Sequence, residues 1–328
     1  MSDWSIFHAR VHLTLKQRAL LPHHSKILIA VSGGQDSVCL AKILRDLQAK
    51  WHWQLAIAHC DHGWSSDAGI SKHVADFAQS LALPFYLTAT TGLPETEAAA
   101  RKWRYQALTE LAQRENFPYI VTGHTKSDRA ETLLYNLVRG SGTDGLQALS
   151  WRRNLTPSIQ LIRPLLNFSR AETLEFCQQF RLPVWFDVVN ENLEYARNRI
   201  RQELIPYLQT HFNQQVETAL AQTAELLGAD VEYLENIAEN ILQKLLVKDQ
   251  QAIERKLLEN QHLAIQRRVI RRFLTLFLPK KPTFKEIEAV TTLISAPKRS
   301  RSSSLPGNKV ALVENNLIKI ISLSEQEI

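Results

Sequence analysis

A run of small and polar residues, from Ser32 to Ser37, follows the apolar stretch Ile27-Leu-Ile-Ala-Val and precedes a helical pattern. The N-terminus of a helix presents unpaired backbone N–H groups to an anion, and adjacent glycines let a phosphate approach the backbone closely. The run is neither GxxxxGK[ST] nor GxGxxG. It predicts a phosphate site at this turn, where Gly33 and Gly34 let the anion approach the backbone. The alternative is a plain turn in which Ser32 or Asp36 caps the helix.

Other polar residues stand where the second and fourth predicted strands end. Ligands of open α/β sheets bind beyond the carboxyl ends of the strands, so we expect these side chains to face the same crevice as the loop. They are His59, Asp61, His62 and His124. Asp61 is suited to a cation, whereas the histidine pair lacks a third ligand at a convincing spacing, so we predict no structural metal. For His124, a ring satisfied by backbone groups is the alternative to a catalytic role.

A second pair of carboxylates belongs to one predicted helix. Asp128 and Glu131 are separated by three positions, so their side chains share one face and could bind a single cationic ligand. The alternative is a capping aspartate followed by a surface glutamate.

Arginines and lysines form two clusters. Arginines suit bidentate phosphate contacts, and Arg197, Arg199 and Arg201 stand together at a predicted helix start. Residues 261 to 301 carry ten basic side chains against two acidic ones, which predicts a surface for a polyanion. The members that we expect to contact phosphates are Arg267, Arg268, Arg271, Arg272, Lys298, Arg299 and Arg301. For both clusters, a solvated helix face is the alternative.

The elements that would position these residues form an α/β pattern. Short β-branched runs alternate with helical stretches, which predicts a doubly wound parallel sheet of five strands. The strands are expected at 26–31, 54–59, 85–88, 119–122 and 159–162, and the helices between them at 36–50, 68–81, 97–116 and 127–139. We predict this domain over residues 1–213. A smaller, mainly helical domain over 214–328 would end in a short β-sheet with strands at 301–305, 309–314 and 317–321.

Composition is that of an ordinary folded protein. The chain has 328 residues, 45% of them hydrophobic, and a net charge of +6, which permits a polyanionic partner. No apolar run approaches a membrane span and the first residues lack a signal-peptide core, so we expect a cytoplasmic protein without a membrane partner. Cys39, Cys60 and Cys177 form no CxxC, which predicts neither an iron–sulfur cluster nor zinc.

The six-residue loop resembles the pyrophosphate loop of the N-type ATP pyrophosphatases, which cleave ATP between the α and β phosphates. Four further stretches narrow this resemblance to the tRNA(Ile)-lysidine synthase family. They are Ala98 to Tyr105 (AARxxRY), Gly123 to Leu146 (GHTxxDxAET, then LxxLxRGSGxxGL), Ile162 to Leu166 (IRPLL) and the Arg-Asn-Arg-Ile-Arg of the segment 190–201. The match covers roughly residues 26 to 208. Ser127 departs from it, because many members carry an aspartate there.

The resemblance implies an enzyme that binds ATP, Mg²⁺, free L-lysine and the isoleucine tRNA with a CAU anticodon. The loop residues that would hold the triphosphate are Ser32, Gly33, Gly34, Gln35, Asp36 and Ser37. Asp128 and Glu131 would bind lysine, and Asp36, Asp61 and Asp128 would be candidate proton acceptors or Mg²⁺-associated groups. Arg101, Arg104 and Arg139 would contact phosphate or tRNA, and residues 214–328 would grip the tRNA backbone. The alternatives are another ATP pyrophosphatase acting on tRNA, such as a thiolase, and a non-catalytic tRNA-binding protein. The sequence leaves the oligomeric state open, and a homodimer is compatible with it.

Overall fold

The computed structural model describes residues 4–64, 68–186 and 192–323. The chain divides into two compact units, Met1–Gly228 and Ala229–Ile328, and each is described by itself. The domain boundary that we predict from the sequence, between residues 213 and 214, precedes this division and stays a prediction. Within the described ranges, no helix is long and apolar enough to cross a membrane.

The first unit contains a six-stranded sheet with the order β3-β2-β1-β4-β6-β5. The strands are β1 (Lys26–Ala30), β2 (Gln54–Asp61), β3 (Phe85–Ala89), β4 (Tyr119–Thr122), β5 (Arg152–Asn154) and β6 (Gln160–Ile162). The five parallel strands are those expected from the sequence, so the predicted fold class is confirmed. The sixth, β5, pairs antiparallel with β6 at the edge. Its three residues, Arg-Arg-Asn, are all exposed and lack the apolar alternation that reveals a strand in a sequence.

Helices flank this sheet, and those expected between the strands are present with ends shifted by a few residues. The helices of the first unit are α1 (Ile6–Gln17), α2 (Gln35–Trp51), α3 (Ile70–Ser80), α4 (Glu97–Arg114), α5 (Lys126–Val138), α6 (Thr143–Leu146), α7 (Arg170–Gln179), α8 (Ala196–Arg199) and α9 (Ile205–His211). A π-helical turn, Ile200–Leu204, joins α8 to α9. The long helix α10 (Val216–Leu245) begins in the first unit and ends in the second. The segment 190–201 begins with two residues, 190 and 191, that lie outside the described ranges.

The central strand β1 supplies both faces of the core. Ile27 and Ile29 belong to one apolar cluster and Leu28 to another, and all three are fully buried. Successive side chains of a strand point to opposite faces, so a strand covered by helices on both sides is a continuous apolar run. Burial on both faces fixes the position of the strand end, from which the loop Ser32–Ser37 emerges.

The second unit packs helices against a four-stranded sheet of order β7-β8-β10-β9. Its elements after α10 are β7 (Leu246–Val247), β8 (Ala252–Glu254), α11 (Lys256–Glu259), α12 (Leu263–Phe277), α13 (Phe284–Thr291), β9 (Lys309–Glu314) and β10 (Leu317–Ser322). The predicted terminal hairpin is present, with Asn315 in the left-handed conformation at its turn. The stretch 301–305 contributes only isolated bridges, whereas β7 and β8 complete the sheet. The stretch 301–305 contains three consecutive serines, whose short side chains offer little apolar surface for packing on a sheet face.

A close backbone approach at Gly123 joins the end of β4 to the start of α2. A Cβ atom at this position would lie 2.7 Å from the carbonyl carbon and oxygen of Asp36 and 2.9 Å from the amide nitrogen of Ser37. Because these are backbone atoms, the two elements would have to move apart. We expect Gly123→Ala to lower the free energy of unfolding by roughly 1–3 kcal/mol, measured by urea denaturation. Gly228→Ala is the control, since its Cβ would make an ordinary contact of 3.9 Å inside a helix. Equal stability of the two variants would contradict this account.

Candidate functional site

The loop between β1 and α2 forms a tight turn around the hydroxyl of Ser37. The Oγ atom of Ser37 donates to the carbonyl of Gly34 at 2.9 Å and accepts from the amide of Ser32 at 3.1 Å. Gly33 has a φ of +92°, which favours glycine, and Gly34 is the N-cap of α2. The first N–H groups of a helix have no acceptor within it. The loop therefore brings such donors to the end of β1, as a phosphate site requires.

Residues of α7 and of the segment that follows it form hydrogen bonds with this loop. The amide of Trp185 donates to the carbonyl of Gly33 at 2.9 Å. The side-chain amide of Gln35 donates to the carbonyl of Arg170 at 2.7 Å and to the hydroxyl of Thr173 at 3.2 Å. Gln35 thus anchors the loop to α7 through its side chain.

A cavity of about 500 Å³ lies at the carboxyl ends of β1, β2 and β4. This volume is within the range of small-molecule sites. The predicted residues that line it are Ser32, Gly34, Gln35, Asp36, Ser37, His59, His62, Arg104, His124 and Asp128. The loop and the strand-end histidines thus face one crevice as expected, whereas Asp61, which was expected there as well, is not part of the lining. The lining also includes Tyr105, Arg170 and Trp185, which the sequence did not single out as site residues.

The guanidinium of Arg170 lies between two carboxylates of the cavity. Its Nε atom is 3.2 Å from Oδ2 of Asp36, and its Nη2 atom is 3.5 Å from Oδ1 of Asp128. Asp36 also accepts a short hydrogen bond from the hydroxyl of Thr173. Arg170 was missed because a local pattern shows only that Ser169 caps α7 in a box with Glu172. Nothing in that pattern indicates that the next side chain meets carboxylates from two other helices.

The two carboxylates differ in proton affinity. Burial raises the pKa of Asp36 to about 6, with Asp128 adding to the rise and Arg170 opposing it. For Asp128 burial also disfavours the charge, but Arg170 and hydrogen bonds from Thr125 hold its pKa below the ordinary value. At neutral pH Asp128 is therefore firmly ionised, whereas Asp36 is closer to taking up a proton.

The histidines of the cavity are held by their neighbours. Burial, and then the charge of Arg163, lowers the pKa of His124 to about 3, so its ring is neutral at pH 7. Nδ1 of His124 lies 2.8 Å from the hydroxyl of Thr122. His59 is 4% exposed and its Nδ1 lies 2.8 Å from the carbonyl of Val31, as expected of a backbone-satisfied ring. His62 stacks on Trp64 with ring centroids 4.9 Å apart.

Two predicted carboxylates lie outside the cavity lining and have protein partners. Asp61 accepts from the hydroxyl of Ser71 at 2.6 Å and from the amide of Gly63 at 2.9 Å, and these bonds lower its pKa. Glu131 is 3% exposed and receives two hydrogen bonds from Arg201, at 2.6 and 2.9 Å. Burial still raises the pKa of Glu131. A catalytic or lysine-binding role for these two residues stays a prediction.

Ser127 is not part of the cavity lining either. Its hydroxyl donates to Glu217 at 3.2 Å and accepts from the amide of Arg170 at 3.2 Å. An aspartate at this position would face Glu217, which is a second negative charge. The serine that departs from the family pattern therefore forms a hydrogen bond to the first residue of α7.

The arginines expected to contact phosphate in the first unit have varied surroundings. Arg104 lines the cavity, and Arg101 lies over the ring of Tyr105 at 5.2 Å. Arg197 forms an ion pair with Glu97 at 2.7 Å, while Arg199 donates to backbone carbonyls of residues 193 and 194. Only Arg104 of these four thus faces the cavity.

In the second unit, the arginines of α12 pair with glutamates. Glu235 of α10 accepts from Arg268 at 2.7 Å, from Arg271 at 2.5 Å and from Arg272 at 2.8 Å. Arg272 also pairs with Glu239, and Arg267 makes two bonds of 2.7 Å to Glu288. Lys298, Arg299 and Arg301 are exposed. The predicted basic surface thus consists of two groups of side chains. The arginines of α12 form ion pairs with glutamates, and the basic residues before β9 are exposed.

The raised pKa of Asp36 predicts a stability that depends on pH. In the unfolded chain this carboxyl ionises near its ordinary pKa of 3.8, but in the folded chain near 6, so ionisation destabilises the fold as pH rises between these values. Asp36→Asn removes this effect. Its stability relative to the parent should increase between pH 4 and pH 7, by at most about 3 kcal/mol, and level off above pH 7. Denaturant unfolding across this range measures the difference, and a flat difference would contradict the raised pKa.

Comparisons with known proteins agree with this geometry. Residues 6–208 match the model of a PP-loop domain, and residues 247–320 match that of a TilS-like substrate binding domain. A tRNA(Ile)-lysidine synthase from Synechocystis sp. is 54% identical over 324 residues, which cover 97% of this chain and 98% of that protein. One from Nostoc sp. is 51% identical over 334 residues, with 96% of each chain covered.

Among solved structures, a U34-tRNA thiolase from Methanococcus maripaludis with its [4Fe-4S] cluster superimposes with a TM-score of 0.57 at 17% identity. The match covers 67% of this chain and 77% of the thiolase, and at this identity it supports the fold alone. The sequence matches extend over both units and nearly the full length of the relatives, so the chain belongs to the tRNA(Ile)-lysidine synthase family.

Proposed function

We propose that this protein ligates free L-lysine to C2 of the wobble cytidine of the isoleucine tRNA with a CAU anticodon, using ATP and releasing AMP and pyrophosphate. The observation that carries the proposal is that the phosphate-type loop and an ionised carboxylate, Asp128, face one cavity. A triphosphate and a cationic amine can therefore be held within reach of each other.

In the first step, the loop residues Ser32 to Ser37 would hold the phosphates of ATP through backbone N–H groups at the start of α2. The O2 atom of the cytidine attacks the α-phosphorus, the bond to the β-phosphate breaks, and pyrophosphate leaves. Arg104 and Arg170 line the cavity and would offset the growing negative charge. Mg²⁺ prefers carboxylate oxygens and, when bound, would neutralise phosphate charge beside Asp36.

In the second step, the ε-amine of lysine attacks C2 of the adenylated cytidine, the C2–O bond breaks, and AMP leaves. The amine has an ordinary pKa near 10.4 and must lose a proton to attack. Asp128 stays ionised and would hold the ammonium before that loss. Asp36 has the higher pKa of the two and would accept the proton once pyrophosphate has left.

The basic residues of the second unit are the proposed contacts with the tRNA backbone. The exposed residues Lys298, Arg299 and Arg301 would contact tRNA phosphates directly. Phosphates that approach Arg268 or Arg272 would meet side chains already held by glutamates. We place the protein in the cytoplasm. We also propose that it forms a homodimer, which sedimentation would test.

The direct test is incorporation of radiolabelled lysine. The full chain is incubated with Mg²⁺, ATP, lysine and a transcript of the isoleucine tRNA, and each component is omitted in turn. We expect label only in the complete mixture, and none in a methionine tRNA that also carries a wobble cytidine. Absence of label with folded protein, while pyrophosphate is released with another acceptor, would overturn the lysine assignment but leave the ATP chemistry.

Substitutions at two adjacent positions, 128 and 127, test whether the carboxylate of Asp128 acts directly in the reaction. Asp128→Asn removes the ionised carboxylate from the cavity, and we expect kcat/KM for lysine to fall about a hundredfold. Ser127→Ala removes the hydrogen bonds to Glu217 and to the backbone amide of Arg170 but keeps the Asp128 carboxylate, and should cost about 1 kcal/mol of stability with at most a few-fold change in rate. Equal losses of activity in the two variants would argue against a direct role for Asp128.

A further inference from the structure

A second concave surface of the first unit lies apart from the cavity described above. It is a groove of about 690 Å³ between the C-terminal end of α5 and the elements α8 and α9 with the π-helical turn between them. Its lining includes Tyr135, Val138, Arg139, Arg199 and Tyr207, and it shares no lining residue with the first cavity. Nothing in the proposed chemistry uses this groove.

Aromatic and aliphatic side chains are unusually exposed here. Of the lining residues, Val138 is 78% exposed and Tyr207 is 55% exposed. Leu137, next to Val138 in the chain, is 53% exposed, and Phe212, five residues after Tyr207, is 74% exposed. Large apolar side chains gathered on one surface are a mark of a binding site in a monomeric protein. The ring of Tyr207 also lies 4.6 Å from that of His211 and 6.0 Å from that of Phe212, so it belongs to a small cluster of rings.

The charge of the groove favours an anionic occupant. Arg139 is exposed, its Nη1 atom donates to the hydroxyl of Tyr135 at 2.8 Å, and its guanidinium lies 5.2 Å from the centre of that ring. Within the described ranges, no carboxylate forms an ion pair with Arg139. Arg199 adds a second positive charge to the lining, and Glu203 adds one negative charge.

Exposed rings beside arginines are the chemistry by which proteins bind unpaired nucleotides. Bases stack on aromatic side chains and on guanidinium planes, while the arginine charge meets the phosphate. A protein partner would also cover apolar side chains, but it would not require an arginine held in place against an aromatic ring. We therefore propose that this groove binds an unpaired base of the RNA substrate, stacked on Tyr207, with Arg139 meeting its phosphate.

The position of the groove suits a base close to the one that is modified. This step rests on the proposed function. Asp128 and Arg139 lie at opposite ends of α5, and eleven residues of helix rise by about 16 Å. An unpaired loop whose wobble base enters the cavity would thus have a nearby base within reach of the groove. The groove would therefore favour RNA substrates in which a second unpaired base of the same loop can lie about 16 Å from the reacting base.

The test is the affinity of a fluorescently labelled RNA hairpin that carries the anticodon loop, measured by anisotropy without ATP or lysine. We expect Tyr207→Ala to weaken binding about tenfold and Tyr207→Phe, which keeps the ring, to bind as the parent does. Arg139→Gln should weaken binding and reduce the dependence of log Kd on log salt by about one unit. Leu87→Ala, which truncates an exposed apolar residue of β3, is the control and should leave the affinity unchanged.

The outcomes separate this inference from the proposed reaction. Unchanged affinity in folded Tyr207→Ala overturns the groove as a base site, whether or not the parent attaches lysine to tRNA. Equal loss in the alanine and phenylalanine variants overturns stacking, because the ring would then be immaterial. If Tyr207→Ala changes the sedimentation mass but not the RNA affinity, the groove is a contact between two copies of the chain, and the inference is wrong. If the parent binds the hairpin in the predicted way but forms no lysidine, the inference stands and the proposed reaction fails.

Discussion

The cavity depends on one electrostatic arrangement, the guanidinium of Arg170 between the carboxylates of Asp36 and Asp128. Two carboxylates in one half-buried space repel each other and lose hydration, so both cannot ionise there without a compensating cation. Arg170 supplies that cation and lowers the pKa of both carboxyls, but burial and the neighbouring Asp128 still raise the pKa of Asp36 to about 6. A substrate that brings its own cation, or its own negative charge, changes this balance. We therefore propose that the same three groups can accommodate an ammonium group and a phosphate in turn.

Arg170 also links α7 to the loop Ser32–Ser37, which we propose as the phosphate site. Its side chain reaches Asp36 of α2 and Asp128 of α5, its carbonyl accepts from Gln35, and its amide donates to Ser127. The segment after α7 adds the bond from Trp185 to Gly33. The loop is thus held from a part of the chain that follows it by more than 130 residues. If the loop binds phosphate as we propose, substitutions on α7 that alter these hydrogen bonds should weaken that binding.

The sequence predicted those features that depend on local patterns. The apolar run of β1 followed by Gly33 and Gly34 fixes a strand, a turn and a helix start, and parallel strands bring their carboxyl ends to one edge. The fold and the gathering of the loop and the histidines at one edge followed from these two facts. Pairing between distant side chains leaves no local pattern, so Arg170 was missed, and the engagement of Glu131 by Arg201 was not foreseen. The edge strand β5 was missed because its exposed polar residues carry no periodicity.

The basic surface of the second unit shows why a count of charges does not predict a phosphate contact. Three arginines of α12 converge on Glu235, so a phosphate would have to compete with a carboxylate that is already in place. Such pairs hold guanidinium groups in fixed positions but lower the local net charge. The exposed residues before β9 are different, because the amide of Arg299 bonds to Val313 and leaves the side chain outside the sheet. We therefore propose that a tRNA backbone is attracted first to the exposed residues Lys298 and Arg299, and that the arginines of α12 contribute to the extent that RNA phosphates displace Glu235.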